Sequence, residues 1–290
     1  MSRAVIVASA LAMLAVLFWS GNWVLGRAVR ADIPPLALNF WRWSLAAVLL
    51  APFAIPKLRA EYAALRSGWL VIVGLALSGA AVFQSMVYIG LRSTEAINAL
   101  LLNATGPVFV ILIAWGALGQ RTTARQLSGI AVSFIGAVYL VARGDLSGIF
   151  SVQFNIGDVW ILAAMVVWGV YSVLLMLKPA GVSPVVLVFC ISVGGALFML
   201  PLWLWEGVPV ALNGSTLLSV GYTGVFASVL AFLAFNAAVA RIGPSRAVYF
   251  LHLMPVFGAV LAILFLGEKL QPYHLIGFPI ALTGVLWATS

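Results

Sequence analysis

The chain has 290 residues, of which 64% are hydrophobic and 8% charged, and its formal net charge is +8. Soluble domains carry about 25% charged residues, so this chain could not cover a water-facing surface with polar groups. The composition therefore excludes an ordinary soluble domain and favours a membrane protein that faces lipid. The basic residues stand singly between apolar runs, so we expect no nucleic-acid partner.

Ten mostly apolar stretches follow one another, each close to the roughly 20 residues that a spanning helix needs. We predict spans at about 4–25, 35–55, 68–90, 95–117, 124–143, 157–177, 184–205, 215–238, 246–266 and 272–289, with Pro56 in a loop. The first stretch resembles a signal peptide but lacks a small-residue cleavage site, so we interpret it as a retained helix. The predicted fold class is an all-α integral membrane protein of ten transmembrane helices.

Lysine and arginine are unevenly divided between the two ends of these predicted spans. The side that holds the N-terminus carries nine of them and the opposite side five, with Arg42 left out because it falls within a span. Because basic residues are retained on the cytoplasmic side, we predict that both termini are cytoplasmic. The expected location is a bacterial-type inner membrane, with lipid as a partner. The oligomeric state is not fixed by the sequence, and a monomer is the simplest expectation.

The sequence matches itself at an offset of 148 positions. The residues 107–109 fall on 255–257, and 118–119 fall on 266–267, within nine identities over the 32 positions that begin at Pro107. Apolar composition alone would give about three. We therefore predict two repeats of five helices, at residues 1–145 and 146–290, in opposite orientations because five is odd. Many secondary transporters are built this way, although duplication could also merely have enlarged the protein.

These motifs together resemble the EamA-domain proteins of the drug/metabolite transporter superfamily. The resemblance rests on Trp-Ser-Gly-Asn at 19–22, on the two prolines, and on Leu-Gly-Gln-Arg at 118–121 with its counterpart Leu-Gly-Glu-Lys at 266–269. It implies a ten-helix transporter and covers essentially the whole chain. Gln120 stands where the family often has Glu. The many aromatic residues suggest, within this family, the aromatic amino acid exporters of the YddG type.

The acidic residues all fall in loops or at predicted helix ends. They are Asp32, Glu61, Glu95, Asp145, Asp158, Glu206 and Glu268. Ionisable groups inside a membrane persist mainly for function, so we predict transport without carboxylate-based ion coupling. The alternative is that a helix-end acid such as Asp158 reaches the cavity. Because no nucleophile, acid–base pair or metal-ligand cluster is visible, we expect neither an enzyme nor a metal or cofactor.

Aromatic and polar residues inside the spans are the candidate substrate-binding residues, because several share one helix face. They are Trp19, Asn22, Trp23, Gln84, Tyr88, Asn98, Asn103, Trp168, Tyr171, Tyr249 and His252. Together they could line a cavity with flat apolar walls and a few hydrogen-bonding groups. Alternatively, the rings belong to the aromatic belts at the membrane interfaces, and the amides and His252 tie helices together.

Two further features of the spans have more than one interpretation. Gly106, Pro107 and Pro255 interrupt corresponding spans, which predicts hinges beside a cavity; packing alone is the alternative. Arg42 lies about 10 Å along its span, so we expect it to snorkel to the interface. Otherwise it would contact a substrate carboxylate.

The function predicted from these observations is the export of small amphipathic metabolites by alternating access. Amino acids, with aromatic ones preferred, are the expected small-molecule substrates. The alternatives are a proton-coupled drug or metabolite exporter of the same family and, from another class, an intramembrane enzyme or scaffold.

Overall fold

The computed structural model describes residues 3–119, 123–145, 155–208, 210–211, 213–242 and 249–289. The regular elements in these ranges are all helical. The α-helices are α1 (Arg3–Ala28), α2 (Pro35–Ser67), α3 (Trp69–Leu75), α4 (Gln84–Gly90), α5 (Ala96–Asn103), α6 (Gly106–Leu118), α7 (Ala124–Val141), α8 (Ile156–Met176), α9 (Pro184–Glu206), α10 (Gly214–Gly221), α11 (Ala231–Ile242), α12 (Met254–Leu266) and α13 (Pro272–Thr289).

Two π-helical segments and one 3-10 helix complete the fold. The first π segment, Ala76–Phe83, joins α3 to α4 in one continuous rod, and the second, Tyr222–Leu230, joins α10 to α11 in the same way. The 3-10 helix Tyr249–Leu253 leads directly into α12. A π turn widens the helix by one residue and releases a backbone carbonyl, and such turns are often found at functional sites.

Several of these helices are long and apolar enough to cross a bilayer. Among the residues described there are six, at Val5–Ala28, Pro35–Ser67, Trp69–Gly90, Ile156–Met176, Pro184–Glu206 and Gly214–Ala238. A seventh span results if Ala96–Asn103 and Val108–Leu118, which are bent by 40°, are counted together. The chain is therefore a multi-pass membrane protein, whereas ten spans remain a prediction.

The second helix departs from its predicted end. Pro56 was expected in a loop, but α2 continues through Pro52 and Pro56 to Ser67. A proline removes one backbone hydrogen bond, and a long membrane helix tolerates this where neighbouring groups compensate. The prediction of a loop at Pro56 was therefore wrong.

The two halves of the chain are interlocked. The most extensive contacts join α7 to α13, α2 to α9, and α1 to both α11 and α12, and each pair takes one helix from either half. The pairs also correspond: α6 packs on α8 as α12 packs on α1, and α9 packs on the first π segment as α2 packs on the second. The division at residue 145 into two repeats remains a prediction, and the core is shared between the halves.

Carboxylates cap two helices across the interface between the halves. Glu61 on α2 accepts a hydrogen bond from the Ser183 N–H (2.8 Å) at the start of α9. Glu268 accepts from the N–H groups of Ala96 (2.8 Å) and Ile97 (2.9 Å) at the start of α5. The first amides of a helix have no partner within the helix, and their partial positive charge favours an anion. These acids therefore have structural contacts at helix ends.

Candidate functional site

A cavity lies inside the bundle, between helices of both halves. The cavity volume is about 120 Å³, which is room for several water molecules or one small solute. Its lining is mostly aromatic with a few polar groups: Trp19, Asn22, Trp23, Arg42, Trp43, Gly79, Phe83, Gln84, Asn103, Ala104, Gly106, Trp168, Tyr171, Ile191, Phe232, Leu251 and Met254. Apolar walls with a small number of polar groups are typical of sites for small organic ligands.

A fully buried apolar cluster surrounds the loop that joins two helices of the cavity. The cavity reaches Gln84 at the start of α4 and Asn103 at the end of α5, and the loop at 91–95 joins these two helices. Around this loop, Leu91, Ile97 and Ile161 are completely buried in one apolar cluster. These residues therefore belong to the packed core of the bundle and not to the cavity lining.

Trp19 and Trp168 form aromatic walls from corresponding helices, α1 and α8. The Trp19 Nε1 donates to the Ala227 carbonyl (3.0 Å), and the ring lies 5.4 Å from the ring of Phe232. The Trp168 ring lies 5.0 Å from Phe83 and 5.1 Å from Tyr171. Offset and edge-to-face contacts of this kind hold aromatic rings in fixed orientations. The cavity therefore presents flat apolar surfaces from both halves.

The π segments supply carbonyl groups to side chains around the cavity. The Ala80 carbonyl of the first segment accepts from Trp43 Nε1 (3.0 Å) and Asn39 Nδ2 (2.9 Å). Ala227, which accepts from Trp19, belongs to the second segment. Since a π turn releases carbonyls from the helical ladder, these side chains satisfy groups that would otherwise be unpaired. The irregular backbone therefore fixes two of the indoles in the lining.

Arg42 is buried in the wall of the cavity. Its Nε donates to the Ser228 hydroxyl (2.7 Å), and its Nη1 donates to the Tyr88 hydroxyl (3.0 Å) and to Asn22 Oδ1 (3.3 Å). The guanidinium carbon lies 5.0 Å from the centre of the Trp43 ring. The residue is 2% exposed, so the expectation that it snorkels to the interface was wrong. Partners on three other helix segments hold the cation inside the bundle instead.

The charge of Arg42 is not balanced by an acid of the lining. Among the described residues that line the cavity, Arg42 is the one with a charged side chain. Its partners Ser228, Tyr88 and Asn22 are all neutral. A buried cation without a counterion is costly, and an anionic group in the cavity would reduce this cost. The lining therefore places a positive charge without a described counterion at the cavity wall.

Most of the predicted substrate-binding residues meet at this cavity. Trp19, Asn22, Trp23, Gln84, Asn103, Trp168 and Tyr171 line it, together with the predicted hinge residue Gly106. Tyr88 lies behind the wall, where its hydroxyl donates to Asn22 Oδ1 (2.6 Å). The backbone of residues 249 and 252 belongs to the 3-10 helix before α12, whereas the side chains of Tyr249 and His252 lie outside the described residues. Substrate binding by these residues remains a prediction.

Asn98 and the hinge prolines have other positions. Asn98 donates from Nδ2 to Asp158 Oδ1 (2.7 Å), away from the cavity lining. Pro107 and Pro255 stand in the first turns of α6 and α12, where a proline N–H is not needed, and not in helix interiors. The bend between α5 and α6 thus precedes Pro107, and the 3-10 helix precedes Pro255, although whether these positions act as hinges is still a prediction.

The structure also shows site residues that the sequence analysis did not include. Trp43, Phe83 and Phe232 line the cavity, and Ser228 holds Arg42. Trp43 follows Arg42 directly, so the neighbourhood of the one cation within a span was a usable signal. Asp158 lies at a helix end, as predicted, but it is completely buried, whereas the sequence showed no sign of a buried carboxylate. Among the described residues, no group of three or more His, Cys, Asp or Glu could hold a metal ion.

A multi-pass helical bundle with a partly polar internal cavity is an architecture found in many membrane transporters. A sequence profile described as the EamA-like transporter family matches residues 6–142 and again residues 155–290. The chain therefore belongs to the EamA-like transporter family. This confirms the family resemblance found in the sequence and identifies the protein as a transporter, while the narrower YddG-type resemblance remains a prediction.

Individual relatives carry transporter names. An "Uncharacterized transporter" of Archaeoglobus fulgidus is 30% identical, with 96% of this chain and 95% of that protein covered. The "Probable terminal-alkyne amino-acid exporter" of Streptantibioticus cattleyicolor is 31% identical over 72% of this chain and 69% of that protein. The "Uncharacterized transporter YyaM" of Bacillus subtilis is 25% identical over 88% and 85%. A crystal structure aligns with a TM-score of 0.62 at 20% identity, covering 97% of this chain and 96% of that one, which shows similarity of fold alone.

Proposed function

We propose that this protein is an inner-membrane exporter of amphipathic carboxylates, most of all amino acids with aromatic side chains. The observation that carries the proposal is the combination of Arg42 with the walls formed by Trp19 and Trp168. The guanidinium binds the substrate carboxylate, since its planar array of donors matches that group. The indoles stack on a flat side chain and attract an ammonium through their ring faces.

The geometry of Arg42 leaves a donor for the substrate. Its Nε and Nη1 are engaged by Ser228, Tyr88 and Asn22, and none of the hydrogen bonds described uses Nη2. The wall therefore holds the side chain in one orientation before the substrate arrives. A site that is organised in advance loses less conformational entropy on binding. A relative named as a probable amino-acid exporter supports the same class of substrate.

Alternating access is the mechanism we propose for the two inverted repeats. The correspondence between α6 on α8 and α12 on α1 supports it, because exchanging the halves turns one contact into the other. A pair of nearly equivalent arrangements can then open the same site to either side of the membrane. The family profile, which matches each half separately, supports the division into repeats.

Counterflow in proteoliposomes tests the proposed substrate. Vesicles loaded with tryptophan or phenylalanine should take up the labelled amino acid, whereas tryptamine and phenethylamine, which lack the carboxylate, should not exchange. Arg42→Met should lower the apparent affinity by roughly 30-fold or more, because a buried charge pair is worth about 2–5 kcal/mol or more when one partner is removed. Arg30→Met, at an exposed helix end, is the matched control. Equal exchange of the amines and amino acids would overturn the proposed substrate class.

A further inference from the structure

Asp158 is a buried acid that the substrate cavity does not use. It lies in the first turn of α8 and is completely buried. Its Oδ1 accepts hydrogen bonds from the Thr94 hydroxyl and from Asn98 Nδ2, the latter at 2.7 Å. Asn98 is itself 96% buried, being 4% exposed, and lies on α5. These three side chains form a polar cluster between helices of the two halves.

Two oxygens of this cluster have no hydrogen-bond donor. Asp158 Oδ2 and Asn98 Oδ1 are both buried, and neither has a partner in the described part of the chain. An ionised carboxylate oxygen and an amide oxygen can only accept hydrogen bonds, so these two oxygens cannot bond to each other. Leaving both acceptors unpaired away from water is costly, and an unpaired buried carboxylate is costlier still. The pair therefore holds two acceptors and no donor between them.

Charged groups around the cluster do not supply this donor. Arg143 at the end of α7 and Glu95 before α5 act on Asp158 electrostatically with opposite signs. Tyr273 on α13 lies within electrostatic range of Asp158, and Glu268 lies within electrostatic range of Tyr273. None of these groups donates a hydrogen bond to Asp158, whose described partners are Thr94 and Asn98. The surrounding charges have opposite signs, and none of these groups is a donor to the cluster. A proton on the acid itself is therefore the simplest source of the missing hydrogen bond.

We propose that Asp158 and Asn98 form a proton-binding site. One proton on Asp158 Oδ2 turns that atom into a donor toward Asn98 Oδ1, while Asn98 Nδ2 continues to donate to Asp158 Oδ1. The acid and the amide then form a closed ring of two hydrogen bonds, and both unpaired oxygens are satisfied by a single proton. Proton binding removes the charge of Asp158, and no bond to carbon changes.

The position of this site links it to the substrate cavity, and this step rests on the proposed function. Asn98 lies on α5, which continues to Asn103 at the cavity wall and then to the 40° bend before α6. Release of the proton leaves a buried carboxylate facing an amide oxygen, which favours separation of α5 from α8. Protonation of Asp158 therefore holds α5 in the present arrangement, and transport depends on pH. This differs from the expectation of no carboxylate-based coupling, which assumed that no acid is buried.

Infrared spectroscopy of the purified protein tests proton binding without any substrate. The wild type should show the carbonyl band of a protonated carboxylic acid, and titration to alkaline pH should remove it. Asp158→Asn should lack this band but stay folded, because an asparagine can form the same two-bond ring with Asn98. Glu95→Gln, a neighbouring acid outside the pair, should retain the band. A wild-type spectrum without a band that depends on Asp158 would overturn the proposal.

Counterflow at equal pH on both membrane faces tests the link to transport. The wild-type rate should change by about tenfold per pH unit on the limiting side of a single-proton titration. Asp158→Asn should give a rate that is independent of pH over the same series, whereas Glu95→Gln should follow the wild type. A wild type that exchanges amino acids at a rate independent of pH would refute the coupling but leave the proposed substrate intact. Failure of counterflow in every variant, with the infrared band present, would instead count against the proposed function.

Discussion

The two tryptophans that face the cavity differ in how they are held. The Trp19 indole is fixed by its hydrogen bond to Ala227, whereas Trp168 is held by the rings of Phe83 and Tyr171 and by apolar packing. An indole that is hydrogen-bonded and packed loses little further freedom when a substrate stacks on it. We therefore expect both rings to contribute to affinity, and Trp19 also to the geometry of the second π segment.

Replacing Trp19 or Trp168 with alanine should impair counterflow of aromatic amino acids while expression is preserved. Loss of one stacking surface is worth about 1 kcal/mol beyond the buried area, so the apparent affinity should fall at least about fivefold. Trp205→Ala is the matched control, because that ring is 84% exposed at the end of α9. Unchanged affinity in both cavity variants would contradict the assignment of these rings to the substrate site.

Gly79 sits where the Tyr171 ring meets the first π segment. A Cβ at Gly79 would lie 2.5 Å from Tyr171 Cδ2, whereas a Cβ at Gly106 would meet its nearest neighbours, on Met165 and Trp168, at 3.5 Å. Gly79→Ala should therefore displace the tyrosine ring and reduce both transport and stability, whereas Gly106→Ala, which meets no steric conflict, should keep the wild-type thermal stability. Counterflow rates and thermal stability in detergent measure both. Equal behaviour of the two variants would show that the ring adapts freely.

At the scale of residues, the sequence predicted the aromatic walls better than the buried charge. Trp19 and Trp168 were found because they lie deep in corresponding spans and share helix faces with other polar or aromatic residues. Arg42 was placed at the interface from its depth along one helix. Its actual position depends on Asn22, Tyr88 and Ser228, which reach it from other segments and could not be related to it by spacing.

The π segments are the elements that separate this bundle from a set of regular helices. Asn39 donates from Nδ2 to the carbonyls of Ala80 (2.9 Å) and Ala81 (3.1 Å), and to the Ser85 hydroxyl (2.9 Å). One amide thus pairs with two carbonyls of the first π segment and one hydroxyl beside it. The segment is therefore stabilised from α2, and α2 and the π segment are expected to move together.

Replacing Asn39 with alanine should destabilise the folded protein. The free energy of unfolding should fall by about 1–3 kcal/mol, because buried acceptors of the π segment lose their donor. Thermal unfolding in detergent measures the effect, and Asn236→Ala, a half-buried amide on α11, is the control. A stability equal to that of the control would mean that water or a shifted backbone replaces the amide.

At this scale most helix ends could be predicted, whereas helix irregularities could not. Apolar runs and proline or glycine breaks locate α1, α8 and α9 to within a few residues. The π turns have no signal in hydrophobic periodicity, because one extra residue per turn leaves an apolar run apolar. Likewise, Pro56 has the same sequence signature inside a membrane helix as in a loop, and its neighbours in space decide between the two.

For the whole molecule, the inverted arrangement makes a prediction about sidedness. In a Cys190→Ser background, single cysteines can be placed by Arg59→Cys near the end of α2 and by Val208→Cys after α9. The inverted repeat predicts that these two positions lie on opposite sides of the membrane. Both positions are exposed, so both can react with a reagent. Labelling of intact and inverted vesicles with a membrane-impermeant thiol reagent measures this. Labelling of both positions from the same side would contradict the inverted repeat and, with it, the proposed mechanism.

The interlocking of the halves also bears on how the protein is made. The most extensive contacts of α1, α2 and α7 are with α11, α9 and α13, which leave the ribosome later. The early helices therefore enter the bilayer before their final partners are made. Their polar side chains, including Arg42, lack those partners at that stage. Ser228 follows Arg42 by 186 positions, so a chain interrupted between the halves contains the buried arginine without this partner. Such a chain is expected to be a substrate for membrane quality control until the second half is supplied.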